Sequence, residues 1–408
     1  MANVTGNKPL SRAKLMEVKL SSLLEVTKAI NNNYPTRELL QIFENVLRNQ
    51  LNIGKLVLFS LDTEWRCLLK FGLDDEINVG IVKEFRDIKE ISPFEVSNKS
   101  LKSAFDIVVP VFHKEVPLAY VLIGDINEEK LEMSPTIKHL PFIQTLTNII
   151  IVAIENKRLA KENIRQAAVQ KELELAWEMQ SMLFPHALPK DEKLEIDALY
   201  LPHQQVGGDY YDFIRISDNE VAFCMADVSG KGVAAALLMS NFQANLRILF
   251  NHTTSLTDLV KELNGKVMAN AKGEKFITLF IAKYNTVTRV LNYINCGHNP
   301  PLMMADKTVS LLKIGCTGLG MFDELIKVKE GIITLNGKTT ILCYTDGVVE
   351  VENDKGQDFG IESLRKILLE SSEQSMQEMN HTIIEALDEH KKDRPYIDDI
   401  TLFSCRIF

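Results

Sequence analysis

Short apolar runs recur through the second half of the chain, and each is bounded by glycine, proline or charged residues. Runs of this kind are typical of buried strands. The predicted strands are 194–201, 209–216, 221–227, 276–284, 289–296, 326–335, 338–345 and 400–403. Apolar residues at helical spacing predict helices at 233–250, 255–271, 361–369 and 376–390. Strands in succession, interrupted by pairs of helices, favour a layered α+β sandwich over an alternating βαβ order.

Asn336 and Gly337 separate two of these predicted strands, 326–335 and 338–345. An Asn-Gly pair between two strands is the strongest short-range signal for a hairpin, because both residues tolerate the left-handed backbone that the turn requires. We therefore expect these two strands to pair with each other.

The first 150 residues also have an α+β pattern. One helical segment runs through Leu23, Val26 and Ile30, a second covers 38–50, and Pro35 separates them. The predicted strands in this region are 55–60, 67–69, 106–112 and 118–123. The last two strands are expected to form a hairpin ahead of a final helix.

The segment 151–184 contains no glycine or proline and is rich in residues that favour helix, so it predicts one long helix that ends before Pro185. Its apolar residues recur at spacings of roughly three, four and seven, namely Leu159, Ile164, Ala168, Leu175, Met179 and Met182. This imperfect stripe predicts a short parallel coiled coil that joins two copies of the chain. The alternative is a single helix that lies on its own domain.

The length of 408 residues exceeds one ordinary core, so we expect two domains and a connector. The predicted boundaries are a sensory or dimerisation domain at 14–150, a helical linker at 151–187 and a catalytic domain at 188–408. With 46% hydrophobic and 25% charged residues, the composition is that of a globular protein. A net charge of -9 disfavours nucleic acid or an anionic membrane as the main partner.

We expect a cytoplasmic protein, because residues 1–12 are polar and the apolar run 149–154 is too short to span a bilayer. The six cysteines form no CxxC pair, and most lie inside apolar runs. We therefore expect them to be free, buried thiols.

Aspartates stand where four of the predicted strands begin or end: Asp209, Asp227, Asp346, and Asp398 or Asp399. An ionised carboxylate at the end of a core strand is costly unless it is paired or bound to metal. Asp227 alone is equally explained as the N-cap of the helix that follows it. Four clustered carboxylates, however, repel one another and require a cation. Oxygen ligands favour magnesium or manganese.

Five motifs follow one another in an order that is known from one family: GGDYYD at 207–212, ADVSGKG at 226–232, CGHNPP at 296–301, YTDGVVE at 344–350 and DDITL at 398–402. Their order and spacing resemble the SpoIIE/RsbU-type branch of the metal-dependent protein serine/threonine phosphatases, the protein phosphatase 2C-like (PPM) enzymes. The resemblance covers about 188–408. Each motif alone is weak, but the ordered set is specific.

The resemblance implies an α-β-β-α sandwich with two manganese or magnesium ions at one edge. Carried over by motif, Asp227 bridges both ions and the backbone carbonyl of Val228 is a further ligand. Asp209 completes one metal site, while Asp346 and Asp398 hold the other. Two ions about 4 Å apart would activate a water for in-line attack on phosphorus. Asp209 and Asp227 would be catalytic through that water, and no cysteine nucleophile is expected.

Asp212 and Asp399 are second-choice metal ligands. Ser229 stands where many eukaryotic relatives have a histidine that is thought to protonate the leaving alcohol. His203 and His298 are possible substitutes, although a structural role is the simpler interpretation of both.

The resemblance implies a phosphoserine or phosphothreonine substrate on a STAS-type anti-anti-sigma protein or a similar partner-switching component. The order of elements before residue 150 is similar to a GAF-type sensory domain. A ligand sensor and a ligand-free dimerisation domain are both consistent with this order. We expect a homodimer formed through this domain and the linker helix, with the regulatory input entering there.

Two other functions remain open from the sequence. Diguanylate cyclases carry GG-D/E-E-F, but here Tyr210 and Tyr211 follow Asp209, where an acidic residue is expected. The second alternative is a non-catalytic interaction module with a decayed metal site. The presence of aspartate at all four strand ends argues against such decay.

Overall fold

The computed structural model describes residues 12–73, 82–83, 87–94, 104–113, 115–124, 139–203, 205–252 and 255–408. The chain divides into two compact units, an N-terminal unit Met1–Ala167 and a C-terminal unit Ala168–Phe408. The boundary between them falls inside one long helix.

The N-terminal unit has one five-stranded sheet in the order β2-β1-β5-β4-β3. Its strands are β1 (Lys55–Leu61), β2 (Trp65–Phe71), β3 (Ser92–Pro93), β4 (Ile107–His113) and β5 (Val116–Gly124). Its helices are α1 (Arg12–Asn31), α2 (Thr36–Asn45), which continues as a π-helical turn (Val46–Gln50), and the start of α3 (Leu140–Ser181). The antiparallel pairing of β4 with β5 confirms the predicted hairpin.

Both faces of this sheet are covered by apolar side chains. Helices α1, α2 and α3 bury one face through residues such as Val26, Phe43 and Leu146. A smaller cluster that includes Phe59 and Phe105 covers the other face. The unit is therefore a mixed α/β domain, and its likeness to a GAF domain stays a prediction.

Helix α3 begins at Leu140, which is 11 residues before the predicted start at 151. It ends at Ser181, before Pro185. Several apolar side chains along it are exposed, namely Leu159, Ile164, Val169, Leu175, Met179 and Met182.

In its described residues, the C-terminal unit contains two sheets, antiparallel except for the parallel pairing of β13 with β10, and their strands match most of the predicted ones. One sheet has the order β13-β10-β9-β8-β7, with β14 also paired to β10; the other has the order β12-β11-β15-β16-β6. The strands are β6 (Leu194–Leu201), β7 (Tyr210–Arg215), β8 (Glu220–Val228), β9 (Ile277–Asn285), β10 (Val290–Cys296), β11 (Leu302–Ala305), β12 (Thr308–Leu311), β13 (Gly315–Cys316), β14 (Gly331–Thr334), β15 (Thr339–Tyr344) and β16 (Ile400–Ile407).

The two sheets pack face to face, and helices cover the outer faces. Phe223 of the first sheet stacks on Phe403 of the second, with ring centroids 5.5 Å apart. The helices are α4 (Val233–His252), α5 (Leu256–Ala271), the short α6 (Asp346–Val349), α7 (Gly360–Glu370) and α8 (Met376–Lys391). Helices α4 and α5 share a core cluster with the first sheet, and α7 and α8 share one with the second. This is the predicted layered sandwich.

Local signals account for the helix ends that the sequence located well. Ser375 caps α8, and its side chain accepts the N–H of Glu378 while the Glu378 carboxylate accepts the N–H of Ser375. Ser255 caps α5 through the N–H of Asp258 in the same way. Such caps satisfy backbone donors that would otherwise lack partners.

The hairpin predicted at Asn336-Gly337 is wrong. Strand β14 pairs with β10 in the first sheet, whereas β15 lies between β11 and β16 in the second. The connection therefore crosses from one sheet to the other. Arg289 holds it there, because its guanidinium donates to the carbonyls of Leu335 at 2.7 Å and Gly337 at 3.0 Å.

Among the described residues, one stretch is long and apolar enough by composition to span a membrane, Val233–Phe250 of α4. Its buried side chains, such as Met239, Phe242 and Leu246, belong to the sandwich core. The stretch also carries Arg247, which is bonded to a buried aspartate described below. These contacts are those of a core helix.

Candidate metal centre

Strand register brings the predicted aspartates to one edge of the sandwich. Tyr210 pairs with Ala226 at the end of the β7–β8 ladder, so the next position along each strand places Asp209 beside Asp227. In the second sheet, the backbone of Thr345 bonds Thr401 at 3.2 Å, so Asp346 lies where β16 begins, next to Asp398 and Asp399.

Asp209 is almost fully buried, with 2% of its surface exposed. The hydroxyl of Thr401, in the other sheet, donates a hydrogen bond to its carboxylate. Burial, followed by the negative charges of Asp227 and Asp399, raises the pKa of Asp209 well above its usual range.

Asp227 lies opposite Asp209 in the register of β7 and β8. Burial raises the pKa of Asp227 to about 7, and the charges of Asp346, Asp398 and Asp399 act in the same direction. Carboxylates this close raise one another's pKa because their like charges repel.

Asp346 and Asp398 form the other half of the cluster. Burial and the charge of Asp398 raise the pKa of Asp346, and its Oδ1 accepts the N–H of Gly347 at 2.8 Å. Asp398 is half-buried and pairs with the ammonium group of Lys231 at 2.8 Å. Gly347 has no room for a side chain, because a Cβ would meet the carbonyl of Asp399.

Asp399 does not point into the cluster as a free carboxylate. Its Oδ1 accepts the N–H of His203 at 2.8 Å, and its Oδ2 accepts the N–H of Gly208 at 3.0 Å and the hydroxyl of Tyr200 at 3.4 Å. Asp399 therefore holds the loop that leads to Asp209.

The other second-choice ligand, Asp212, lies apart from the cluster. Both of its oxygens are bonded to Arg247, at 2.8 and 2.9 Å, and the hydroxyl of Tyr210 donates to one of them. Asp212 is completely buried and serves as an ion-pair partner between β7 and α4.

Gly207 and Gly208 are packed too closely against neighbouring residues to carry side chains, and the carbonyl of Val228 lies next to Gly208. A Cβ on Gly208 would lie 2.9 Å from the Val228 oxygen, and a Cβ on Gly207 would meet Tyr200 and Asp399. Both glycines are therefore required by these contacts.

The histidines have structural positions. His298 is buried, with its Nδ1 2.9 Å from the Thr278 hydroxyl, and burial lowers the pKa of its imidazole to about 4. His203 is exposed and contacts the site through its backbone. Ser229, at the position of the eukaryotic histidine, accepts the N–H of Phe276 at 2.9 Å.

Most of the thiols are buried in the core. All six cysteines are free, and four are buried: Cys224, Cys296, Cys343 and Cys405. Burial raises the pKa of the Cys224 and Cys343 thiols well above the usual range. Cys67 is exposed, contrary to the expectation that the cysteines are buried.

The donor set fits Mg²⁺ or Mn²⁺ in chemistry, since it consists of carboxylates and a backbone carbonyl. In the described part of the chain, no group of three or more histidine, cysteine or acidic side chains is close enough together to hold a metal ion. Lys231 offsets the negative charge of Asp398. A divalent cation would offset the charge of the other carboxylates.

Sequence reasoning identified the four strand ends but missed the residues that hold them. Thr401 orients Asp209, and Tyr200 contacts Asp399. Gln180, at the end of α3, bonds the backbone of Gly207. Thr401 belongs to the DDITL motif, but the motif does not show that it contacts Asp209. Tyr200 and Gln180 carry no local signal, because one acts across strands and the other from a distant helix.

Comparison with known proteins identifies the family of the chain and the fold of its C-terminal unit. The family described as Stage II sporulation protein E (SpoIIE) matches residues 217–408. The phosphoserine phosphatase RsbU of Bacillus subtilis is 30% identical over 242 residues, which are 59% of this chain and 71% of RsbU. Protein IcfG of Synechocystis is 25% identical over 276 residues; these are 61% of this chain but only 43% of IcfG.

Among solved structures, the SiaA-PP2C domain of Pseudomonas aeruginosa matches with a TM-score of 0.54 at 20% identity, covering 60% of this chain and 99% of that one. The C-terminal sandwich therefore has a PP2C-type fold. The relative RsbU and the family match place the chain in the class of protein serine/threonine phosphatases. Within that class, the chain belongs to the SpoIIE-type family. The resemblance drawn from the five motifs is confirmed.

Proposed function

We propose that the chain hydrolyses a phosphoserine or phosphothreonine monoester on a partner protein. The observation that carries the proposal is the meeting of Asp209, Asp227, Asp346 and Asp398, from both sheets, at one edge of the sandwich. Burial, followed by repulsion from neighbouring aspartates, raises the pKa of Asp209, Asp227 and Asp346. Such a cluster suits a site that is completed by divalent cations.

We assign the metal ligands as the carboxylates of Asp209, Asp227, Asp346 and Asp398 and the carbonyl of Val228. Two Mg²⁺ or Mn²⁺ ions bound there would supply Lewis-acid activation of water and of the phosphoryl group. Asp227 would hold both ions, because its carboxyl interacts with Asp346 and Asp398 as well as with Asp209.

The protein's own contribution is to fix these oxygens in advance. Thr401 restrains Asp209 from the second sheet. Asp399 restrains the loop before it through the N–H of Gly208. Gly347 lets Asp346 approach the start of β16. Preorganised oxygens of this kind reduce the reorganisation needed when the substrate binds.

The bond that breaks is the phosphorus–oxygen ester bond, and the attacking oxygen comes from water. We assign protonation of the serine oxygen to water as well. His298 is neutral above pH 4, since burial lowers its pKa to about 4, and the Ser229 hydroxyl is engaged with the backbone of Phe276.

The substrate class follows from RsbU, which is named as a phosphoserine phosphatase and of which this chain covers 71%. We propose a phosphorylated STAS-type protein or a similar partner-switching component. A cytoplasmic location agrees with such a partner and with the charge of -9.

We further propose that the chain acts as a homodimer, joined through the N-terminal unit and α3. Apolar side chains on α3 are unusually exposed, with Ile164 at 72% and Met179 at 71%. An exposed apolar stripe on a long helix favours pairing with a second helix.

Hydrolysis of p-nitrophenyl phosphate in the presence of manganese tests the enzymatic proposal. We expect activity that chelator abolishes, and that falls by at least about 100-fold in Asp227→Asn and Asp346→Asn because each removes a metal ligand. Asp218→Asn is the matched control, since Asp218 is exposed on the β7–β8 turn. Activity that survives both site substitutions would overturn the assignment of the site.

A further inference from the structure

Gln180 connects the end of α3 to the loop that carries Asp209. It lies in the last turn of the helix and is 4% exposed. Its side-chain amide donates to the carbonyl of Gly207 at 2.8 Å and accepts the N–H of Gly207 at 3.3 Å. A single side chain from the helix thus bonds both the carbonyl and the N–H of Gly207.

The three residues that follow one another in this loop are each fixed by a different element. Gly207 is held by Gln180 of the helix, Gly208 by Asp399, and Asp209 by Thr401 of β16. Gly207 cannot carry a side chain, because a Cβ would meet Tyr200 and Asp399. A shift of the helix end would therefore move Gly207 and, two residues later, the carboxylate of Asp209.

The same helix end also contacts the residue that holds Asp399. The Trp177 ring lies 5.5 Å from that of Tyr200. Phe184, just beyond the helix, packs 5.2 Å from Tyr200 and 4.9 Å from Tyr211. The Tyr200 hydroxyl donates to Asp399. The hydrogen bonds of Gln180 and the ring contacts of Trp177 and Phe184 thus connect the end of α3 to the same loop.

We propose that Gln180 is a positioning residue that fixes the Gly207–Asp209 loop in the conformation that binds divalent metal. This inference rests on the proposed function, because it takes Asp209 as a metal ligand. It places the point where a regulatory input from the linker helix would reach the site at the loop before β7. Partners that orient metal ligands typically change metal affinity by about 10- to 100-fold when they are removed.

The test uses the full chain and the variants Gln180→Met and Gln180→Glu. Methionine keeps the volume of the side chain and removes both hydrogen bonds. Glutamate keeps the acceptor for the Gly207 N–H but cannot donate to its carbonyl. Gln170→Met is the matched control, since Gln170 lies on the same helix and makes one exposed contact, to Gln205 at 3.3 Å.

Calorimetric titration with Mn²⁺ gives the dissociation constant, and amide hydrogen exchange at Gly207 and Gly208 reports the loop directly. We expect Gln180→Met to bind Mn²⁺ about 10- to 100-fold more weakly than wild type, with faster exchange at both glycines. At saturating Mn²⁺, kcat should stay within about threefold of wild type. Gln180→Glu should also weaken binding, and Gln170→Met should leave both measurements unchanged.

A purely structural role gives a different result. A lower melting temperature in Gln180→Met and Gln180→Glu, with unchanged Mn²⁺ affinity and unchanged exchange at Gly207, would overturn the inference and leave the proposed function intact. Absence of Mn²⁺ binding in the wild type would overturn the proposed function itself, and the inference with it.

Discussion

The neighbours Asp398 and Asp399 have identical side chains but different tasks. Asp398 pairs with Lys231 in the carboxylate cluster, while Asp399 accepts two backbone N–H groups, of His203 and Gly208. A carboxylate that accepts backbone N–H groups is held in a fixed orientation. The two side chains differ because the fold turns them toward different groups. Asp398 faces Lys231, whereas Asp399 faces the loop that contains His203 and Gly208.

Asp227 makes the stability of the chelated protein depend on pH. Its pKa rises from the ordinary 3.8 to about 7 in the folded chain. Between those values the folded chain keeps a proton that the unfolded chain has released, so stability decreases as pH rises from about 4 to 7. Asp227→Asn removes this dependence, and in EDTA at pH 8 it should be more stable than wild type by about 2 to 4 kcal/mol.

Urea denaturation in EDTA at pH 5 and pH 8 measures this effect. His298 acts in the opposite direction, because its lowered pKa of about 4 costs stability as pH falls. The informative quantity is therefore the difference between wild type and Asp227→Asn at each pH. A difference that does not grow from pH 5 to pH 8 would show that Asp227 is ionised in the folded chain.

At the level of elements, one buried ion pair ties α4 to β7. Asp212 of β7 is fully buried, and Arg247 of α4 spans both of its oxygens. The β7 strand begins one residue after Asp209. This tie therefore contributes to the position of the metal-binding edge.

Removal of Arg247 should destabilise the C-terminal unit, because it leaves the Asp212 carboxylate buried and unpaired. We expect Arg247→Met to cost about 2 to 3 kcal/mol, at or below the lower end for a broken buried pair since the arginine is partly exposed. Chemical denaturation measures the loss. The double variant with Asp212→Asn should recover part of it.

An exposed pair provides the comparison for this experiment. Lys338 lies 3.4 Å from Glu373, and both side chains are largely in solvent. Lys338→Gln should change stability by less than about 0.5 kcal/mol. An equally small effect of Arg247→Met would contradict the structural role assigned to Arg247.

The turn after β15 and the start of β16 must touch for Asp346 to meet Asp398. Gly347→Ala would push its Cβ into the carbonyl of Asp399, a backbone group that cannot move aside cheaply. We expect metal-dependent activity to fall by at least about tenfold, through a displaced metal ligand. Gly265→Ala, on α5 with open space around it, should be neutral or slightly stabilising. Similar activity of the two alanine variants would contradict this account.

The sequence predicted most elements of the C-terminal unit because strand and helix patterns are local. It placed Asp209, Asp227, Asp346 and Asp398 at strand ends for the same reason. The error at Asn336-Gly337 arose because a two-residue signal cannot show that the flanking strands belong to different sheets. The short strands β11, β12 and β13 were missed, since two to four residues give too little periodicity.

The supporting contacts could not be predicted from local pattern. Thr401 reaches Asp209 across 192 positions of sequence, and Gln180 reaches Gly207 across 27. The residues that pair within a ladder can be worked out once two strands are known to be neighbours. Contacts between sheets, or from a helix end to a loop, depend on how whole layers pack.

For the whole molecule, the central claim is that aspartates delivered by two sheets of one PP2C-type sandwich form a divalent-cation site. The N-terminal unit and α3 would regulate this site in a dimer. The proposed ligands all lie in the C-terminal unit. It can therefore be tested before the protein substrate is known.

Calorimetric titration of the full chain with Mn²⁺ tests this claim most directly. The assigned ligands predict about two ions per chain for wild type. Asp227→Asn should lose both, because Asp227 is assigned as the bridge, whereas Asp346→Asn should retain one and Asp218→Asn should retain both. An Asp227→Asn variant that binds Mn²⁺ like wild type would contradict the metal centre at this edge of the sandwich.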